Sequence, residues 1–233
     1  MVCLFFVFIQ PCHARSKPLR ITGIENEQTH AMAAEILKIA YQKIGCRITV
    51  DVMPGRRSLA MANNGDSDGD IARILGTENA FPNLVRVPTP IIWFTGAVFS
   101  KTVNKSIRSW EDLKGLRIGI IRGVRYSRMN TQGMAPFFAE NMHHLFRLLT
   151  QDKIEVAVAV LKAGQIEINK NFKDRGIRVI GRPLTIMPLY HFVHKSHKTL
   201  VPRLDAELSA MKTRGEMAGI LDQAFNDLMG QQP

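Results

Sequence analysis

Strand and helix patterns alternate along most of the chain, and this alternation constrains the fold more than any other feature of the sequence. The segment 19–24 ("LRITGI") alternates in the manner of a β-strand. The next segment, 29–45, places its apolar residues on one helical stripe, with Thr29 suited to the N-cap and Gly45 to the C-terminal stop. A second, β-branched strand follows at 47–54. Repeated alternation of this kind predicts an α/β architecture with largely parallel sheets.

The pattern continues through the first half of the chain and then restarts. After a short helix that ends at Gly65, we predict three strands at 70–75, 84–91 and 95–101, the second of which ends at prolines. The restart opens with a capping signal, Ser109 with Asp112 three residues on. The remaining predicted elements are a strand at 118–121, a helix at 143–152, a strand at 154–160, a helix at 161–172, a strand at 177–181 and a helical tail broken near Gly215. The repeated strand-helix start near residues 19 and 117 predicts two lobes.

Basic residues outnumber acidic ones, 31 Lys and Arg against 20 Asp and Glu, which gives a formal net charge of +11. A balance of this sign favours an anionic ligand, an anionic surface or nucleic acid. The basic residues are scattered, however, and the sequence shows no zinc-finger spacing, no helix-turn-helix and no aromatic-basic RNA motif. We therefore predict no nucleic-acid partner, which leaves an anionic ligand or an anionic surface.

The N-terminal segment has the pattern of an export signal. An apolar run at 2–9 is too short to span a membrane and is followed by a small-x-Ala pattern that ends at Ala14. We predict a signal peptide at 1–14, with a buried first strand as the alternative. The usual positive residues before the apolar run are missing, which leaves open that the start codon is misassigned. Cleavage would remove Cys3 and Cys12 and leave Cys46 alone, so that no disulfide can form within the chain.

Two clusters invite a metal prediction, and neither supports one. Three aspartates alternate in "NNGDSDGDIARI" (63–74), but no register supplies both the glycine and the final glutamate of an EF-hand loop. We expect these aspartates to form a solvated turn. His191, His194 and His197 have no nearby Glu or Cys to complete a zinc set. With no G-x-S-x-G elbow or P-loop either, we predict no catalytic residue, no metal and no cofactor.

Several weak motifs occur in an order that resembles the extracellular solute-binding proteins of family 3, which serve bacterial ABC importers. The resemblance covers nearly everything from Leu19 to Met229, and "DLKGLRIGIIRG" (112–123) is its most telling piece. The other motifs are "AAEILKIAYQKIG", "PGRRSLAMANNGDSDGDIARI", "FPNLVRVPTPI", "LFRLLTQDKIEVAVAVLKAG" and "LVPRLDAELSAMKTRGEM".

The resemblance implies a type II periplasmic binding protein-like fold, an α/β fold of two lobes with a hinge and an interlobe cleft that holds the solute. On this basis lobe 1 consists of 15–102 and 191–233, and lobe 2 consists of 103–190. The family also implies a monomer in the periplasm that delivers its small-molecule solute to an ABC permease in the inner membrane.

Family members that bind amino acids hold the ligand with an arginine after the third strand and an acid after the strand that matches 154–160. This sequence lacks that arginine and has Val160 where the acid would stand. A buried ammonium group without a partner is costly, so a standard α-amino acid is disfavoured. We expect basic replacements that suit a carboxylate or phosphate. The predicted ligand-binding residues are Glu25, Arg57, Arg73, Trp93, Arg125 and Tyr126.

Each of these residues also has a purely structural interpretation. Arg57 and Arg125 fit solvated surface helices, and Arg73 fits an ion pair with Asp70 or Glu25. Trp93 fits core or hinge packing. The predicted function is therefore a binding protein and not an enzyme: it captures a small anionic organic or amino-acid-like solute for an ABC importer. A periplasmic ligand sensor for a membrane kinase and a lyase on the same scaffold are the alternatives.

Overall fold

The computed structural model describes residues 17–230, so the predicted signal peptide at 1–14 lies outside the described residues. The described chain forms two compact units, each an α/β assembly. Unit 1 contains 17–26, 33–91 and 190–220, and unit 2 contains 27–32, 92–189 and 221–230. The strands are β1 (Leu19–Ile24), β2 (Ile48–Met53), β3 (Gly69–Ile74), β4 (Leu84–Ser100), β5 (Ile118–Ile121), β6 (Phe137–Ala139), β7 (Val156–Val160) and β8 (Arg178–His194). The helices are α1 (Gln28–Lys43), α2 (Gly55–Asn64), α3 (Thr77–Ala80), α4 (Arg125–Asn130), α5 (Met142–Thr150), α6 (Leu161–Asn171), α7 (Val201–Thr213) and α8 (Glu216–Gly230), with 3₁₀ turns at Trp110–Leu113 and Lys195–Leu200.

Unit 1 is built on parallel strands in the order β2-β1-β3, with β8 next to β3. The helix predicted to end at Gly65 does so, because Gly65 adopts a left-handed conformation (φ 84°) and its N–H donates to the Met61 carbonyl. The predicted N-cap of α1 is wrong. The helix begins at Gln28, and the Glu27 carboxylate accepts a hydrogen bond from the Thr29 N–H at 3.0 Å, so Glu27 performs the capping.

Unit 2 contains the strand order β4-β7-β5-β6, in which β5 is parallel to both β7 and β6 and β4 is antiparallel to β7. Both faces of this sheet are buried, and alternate residues enter different cores. Ala97 and Phe99 of β4 pack in one cluster with α5, whereas Val98 packs in the other with Ile107 and Leu113. This is why β5 and β7 have nearly continuous apolar sequences. The predicted Ser109–Asp112 capping box is present.

Two predicted strands, 84–91 and 95–101, are in fact the single long strand β4. Pro88 and Pro90 do not end it, because the fixed φ of proline is compatible with extended backbone. The Thr89 N–H between them donates to the Asp205 carboxylate of α7 at 2.7 Å, so it needs no neighbouring strand. The predicted strand at 177–181 likewise extends to His194 as β8. Two of the boundaries between the units fall within these long strands, at 91/92 in β4 and at 189/190 in β8.

Candidate functional site

Three of the predicted ligand-binding residues lie in unit 1 at the carboxyl ends of its parallel strands. Glu25 directly follows β1, Arg57 lies in the first turn of α2 after β2, and Arg73 lies near the end of β3. Because β1 is parallel to both β2 and β3, these ends meet at one edge of the sheet. Glu25 and Arg57 are exposed, and among residues 17–230 neither side chain forms a hydrogen bond or ion pair.

Arg73 is held in one orientation by a buried carboxylate. Its Nε donates to Asp70 Oδ1 and its Nη2 donates to Asp70 Oδ2, both at 2.8 Å. Nη2 also donates to the Ser58 hydroxyl at 3.1 Å, and the Ser58 hydroxyl in turn donates to Asp70. Asp70 is fully buried, whereas the Arg73 side chain is 11% exposed. Burial raises the pKa of Asp70, and the Arg73 guanidinium opposes that rise.

This pairing decides between the two structural interpretations of Arg73, since its partner is Asp70 and not Glu25. It also leaves one nitrogen free, because Nη1 forms no hydrogen bond with any residue that the structure describes. The expectation of a solvated aspartate turn is wrong for Asp70, which lies inside β3. Asp68 is also engaged: its carboxylate accepts from the Arg20 N–H and from His197, both at 2.6 Å.

A second buried group lies behind Asp70. His191 of β8 is fully buried, and its Nδ1 lies 2.8 Å from the Asp70 carbonyl oxygen, which can only accept. Nδ1 therefore carries the proton, and Nε2 accepts from the Tyr41 hydroxyl at 2.8 Å. Burial lowers the pKa of His191 to about 4, so the imidazole is neutral. Within 17–230, no group of three or more His, Cys, Asp or Glu residues is arranged to hold a metal ion.

The other three predicted residues lie in unit 2. The Tyr126 ring, on α4, packs edge-on against Phe94 (centroids 4.7 Å apart) and Trp110 (6.1 Å apart), and it covers Gly96 of β4. Its hydroxyl is buried and has no hydrogen-bond partner among the described residues. Burial raises the pKa of this hydroxyl well above its usual range, and the Glu27 carboxylate adds to the rise.

Trp93 and Arg125 are more exposed than Tyr126. Trp93 of β4 is 50% exposed, so it is not a core residue. The exposed Arg125 directs its Nε towards Met129 Sδ, one helical turn later, at 3.4 Å. The structure thus brings Glu25, Arg57 and Arg73 together in unit 1 and places Trp93, Arg125 and Tyr126 in unit 2.

Sequence reasoning missed the residues that position these side chains. In unit 1 they are Ser58 and the Gly55 carbonyl, which accepts from Arg73 Nη2 at 3.4 Å. In unit 2 they are Gly96 and Trp110. The sequence does contain a signal for the burial of Asp70. An aspartate near the start of a mostly apolar strand, with an arginine three residues later, indicates a buried ion pair.

Comparison with known proteins places this geometry in a recognised architecture. No protein-family model matches the sequence. A protein of Shewanella oneidensis described as uncharacterized is 24% identical over 238 residues, which cover 92% of this chain and 89% of that protein. Among solved structures, a histidine kinase sensor domain with similarity to periplasmic binding proteins superposes with a TM-score of 0.71 at 15% identity, covering 90% of this chain and 96% of that one.

Two further solved structures have a similar fold. The GluR0 ligand-binding core in complex with L-glutamate has a TM-score of 0.75 at 13% identity and covers 91% of this chain and 99% of its own. The substrate-binding domain 2 of Lactococcus lactis GlnP has a TM-score of 0.69 at 13% identity, with coverages of 90% and 96%. The fold is that of the type II periplasmic binding proteins. The α/β, two-lobe, periplasmic binding protein-like fold expected from the sequence is therefore confirmed, whereas membership of family 3 stays a prediction.

In open α/β sheets, ligands generally bind in the crevice outside the carboxyl ends of the strands. Arg73, Arg57 and Glu25 occupy such an edge in unit 1. Across the described stretch 17–230, none of the helices has the length and apolar character needed to cross a membrane.

Proposed function

We propose that this protein captures a small organic solute with an anionic group and delivers it to an ABC permease. The observation that carries the proposal is the Arg73 guanidinium, which a buried carboxylate fixes at the carboxyl edge of β1–β3 while its Nη1 stays without a partner among the described residues. A guanidinium held in this way needs no reorganisation to donate to a carboxylate or phosphate.

The surroundings of Arg73 favour a negative ligand. Asp70 neutralises Arg73, so attraction for an anion depends on the groups nearby. Arg57 adds a positive charge that has no partner among residues 17–230. α2 begins at Gly55 without a side-chain cap, which leaves its first amide groups free for an anion. In unit 2, Val160 stands at the N-cap of α6, where an acid would be needed for an ammonium group. The solute therefore has a carboxylate or phosphate as its main polar group, with an amino-acid-like body as one form.

A ligand screen tests this proposal. The residue 15–233 protein is heated with L-glutamate, succinate, glycerol phosphate, L-arginine and glucose, because a ligand that binds the native state raises its melting temperature. We expect the anionic compounds to give the largest shifts. If L-arginine or glucose gave the largest shift, the anionic-solute proposal would be wrong. If no compound in a broader solute panel raised the melting temperature, the proposed binding role would be wrong as well.

The substitution Arg73→Lys tests the site. Lysine keeps the charge beside Asp70, so the pair is not left as a lone buried acid, but it cannot reproduce the planar fork. We expect affinity for the best ligand to fall about tenfold or more, as measured by calorimetry. The matched control is Arg20→Lys, since Arg20 also pairs with an aspartate, Asp51, but at the opposite end of β1. Equal loss in both variants would remove Arg73 from the site.

A sensor role is the second candidate, and the likeness to a histidine kinase sensor domain favours it. Both roles require export to the periplasm, and we propose that the predicted signal peptide at 1–14 directs it. The predicted lobe boundaries and the monomeric state also stay proposals. Uptake of the identified solute separates the two roles. Deletion of the gene should abolish high-affinity uptake if the protein serves a permease, and should leave uptake intact while removing a transcriptional response if it serves a kinase.

A further inference from the structure

Unit 2 contains a surface groove that shares only Arg125 with the predicted ligand-binding residues. It lies between α4, the connection at 131–136 and the edge strand β6, and its volume is about 810 Å³. That volume lies within the range of about 300–1,000 Å³ typical of small-molecule sites. β6 is the last strand of the order β4-β7-β5-β6, so no strand within residues 17–230 pairs with its outer side.

Exposed apolar side chains form part of the lining of this groove. Met129 is 59% exposed and Phe138 is 43% exposed, and Pro136 is also part of the lining. Large apolar side chains exposed within a concave lining give the apolar part of a ligand a surface to cover.

The charged residues among those that line the groove are both positive. Arg125 and Arg128 line it, and the Arg122 guanidinium lies over the Phe138 ring, 5.5 Å from its centroid. No Asp or Glu is among the lining residues, and the Arg128 side chain forms no hydrogen bond or ion pair within the described part of the chain. A positive rim on an apolar floor matches a molecule with a negative head and an apolar body.

We propose that this groove is a second binding site, specific for amphipathic carboxylates. The apolar body lies on Met129 and Phe138, and the carboxylate accepts hydrogen bonds from Arg128, with the Gln132 amide at the same rim. Arginine suits this role because its planar fork matches a carboxylate. Arg73, which lies in unit 1, is not among the residues that line the groove.

Calorimetric titration with octanoate tests the proposal. Acetate supplies the head without the body, and octan-1-ol supplies the body without the charge. We expect octanoate to bind at least about tenfold more tightly than either compound. If acetate bound as tightly as octanoate, the groove would be a simple anion site and the proposal would be wrong. If octan-1-ol bound as tightly, the carboxylate would not be recognised and the proposal would also be wrong.

Variants locate the binding. Arg128→Gln and Met129→Gln should each weaken octanoate binding about fivefold to tenfold, since they remove the head contact and part of the apolar floor. The matched control is Arg175→Gln, because Arg175 is also an exposed arginine of unit 2 without a side-chain partner among residues 17–230, but it does not line the groove. Octanoate binding should be unchanged in this control. Loss of octanoate binding in the control, or full binding in both groove variants, would contradict the assignment.

A membrane surface carries the same chemistry in another form, because anionic phospholipid headgroups also meet arginines and exposed apolar side chains. Sedimentation with vesicles of anionic phospholipid separates the two. Octanoate that binds in solution and competes with any vesicle binding supports the proposed site. Binding to vesicles without measurable binding of octanoate would replace it with a membrane-contact surface.

Discussion

At the scale of single residues, the Tyr126 hydroxyl is a buried polar group without a partner among residues 17–230. A buried hydroxyl that lacks a hydrogen bond costs about 1–3 kcal/mol. We therefore expect Tyr126→Phe to leave the free energy of unfolding unchanged or to raise it by up to about 1 kcal/mol. If the hydroxyl contacts the solute, the same substitution should lower solute affinity about fivefold or more.

Urea unfolding and calorimetry on the same variant check both halves of this expectation. A stability loss above about 1 kcal/mol would show that the hydroxyl is bonded in the free protein, for example through water. Unchanged solute affinity would remove Tyr126 from the predicted ligand-binding residues. The matched control is Tyr190→Phe, whose ring lies against the Arg86 guanidinium at 4.7 Å and which belongs to unit 1.

Individual residues also show how far sequence reasoning reaches. Arg73 and Asp70 are three residues apart, so their pairing was foreseeable as one of two options. The Tyr41–His191 hydrogen bond joins residues 150 positions apart, and nothing local in either segment specifies it. Spacing along the chain reveals contacts within an element, whereas contacts between elements depend on sheet order, which the sequence pattern leaves open.

At the scale of elements, α4 packs on β4 through Tyr126 and Gly96. A Cβ at Gly96 would lie 2.7 Å from Tyr126 Cε2, closer than packed carbon atoms approach, so a larger residue there must displace the ring. We expect Gly96→Ala to lower the free energy of unfolding by about 1–3 kcal/mol.

A double-mutant cycle separates this contact from any effect of alanine on β4 itself. In a Tyr126→Ala background the obstacle is gone, so Gly96→Ala should cost at least about 1 kcal/mol less than in the wild type. Urea unfolding of the four proteins gives the coupling energy. Additive effects of the two substitutions would mean that the ring does not rest on Gly96.

Most elements could be predicted from the sequence because their signals are local. β1 and β5 begin and end where their apolar patterns do, and Gly65 ends α2 through its own backbone conformation. β4 could not, because its passage through two prolines depends on Asp205, which lies 116 residues away from Thr89. Prolines therefore end a strand only when no distant side chain accepts the hydrogen bonds of the backbone N–H groups beside them.

At the scale of the whole molecule, the restart of the strand-helix pattern near residue 117 was enough to predict two lobes, since each set of alternating elements can bury one sheet. The candidate site was predicted only in part. The strand ends that carry Glu25, Arg57 and Arg73 follow from the topology, whereas the free Nη1 of Arg73 depends on Ser58 and Asp70 as packed in three dimensions.

Global stability should depend on pH through His191. Its pKa falls from 6.5 to about 4 on burial, so between these values the unfolded chain binds a proton that the native protein does not. A lowered native pKa contributes stability above pH 6.5 that is lost as the pH falls towards 4. The full difference corresponds to about 3 kcal/mol, since each unit of pKa shift is worth about 1.4 kcal/mol.

The substitution His191→Gln isolates this contribution. Glutamine does not titrate, but its amide can still donate to the Asp70 carbonyl and accept from the Tyr41 hydroxyl. Urea unfolding at several pH values between 4 and 6.5 should show a shallower decline in the variant than in the wild type, by up to about 1.4 kcal/mol per pH unit. His194→Gln, three residues later on the same strand and only partly buried, is the matched control and should keep the wild-type decline. If the free energy of unfolding fell equally with pH in wild type and in His191→Gln, the imidazole would gain its proton without disturbing the packing of β3, β8 and α1. Other groups would then determine the loss of stability in acid.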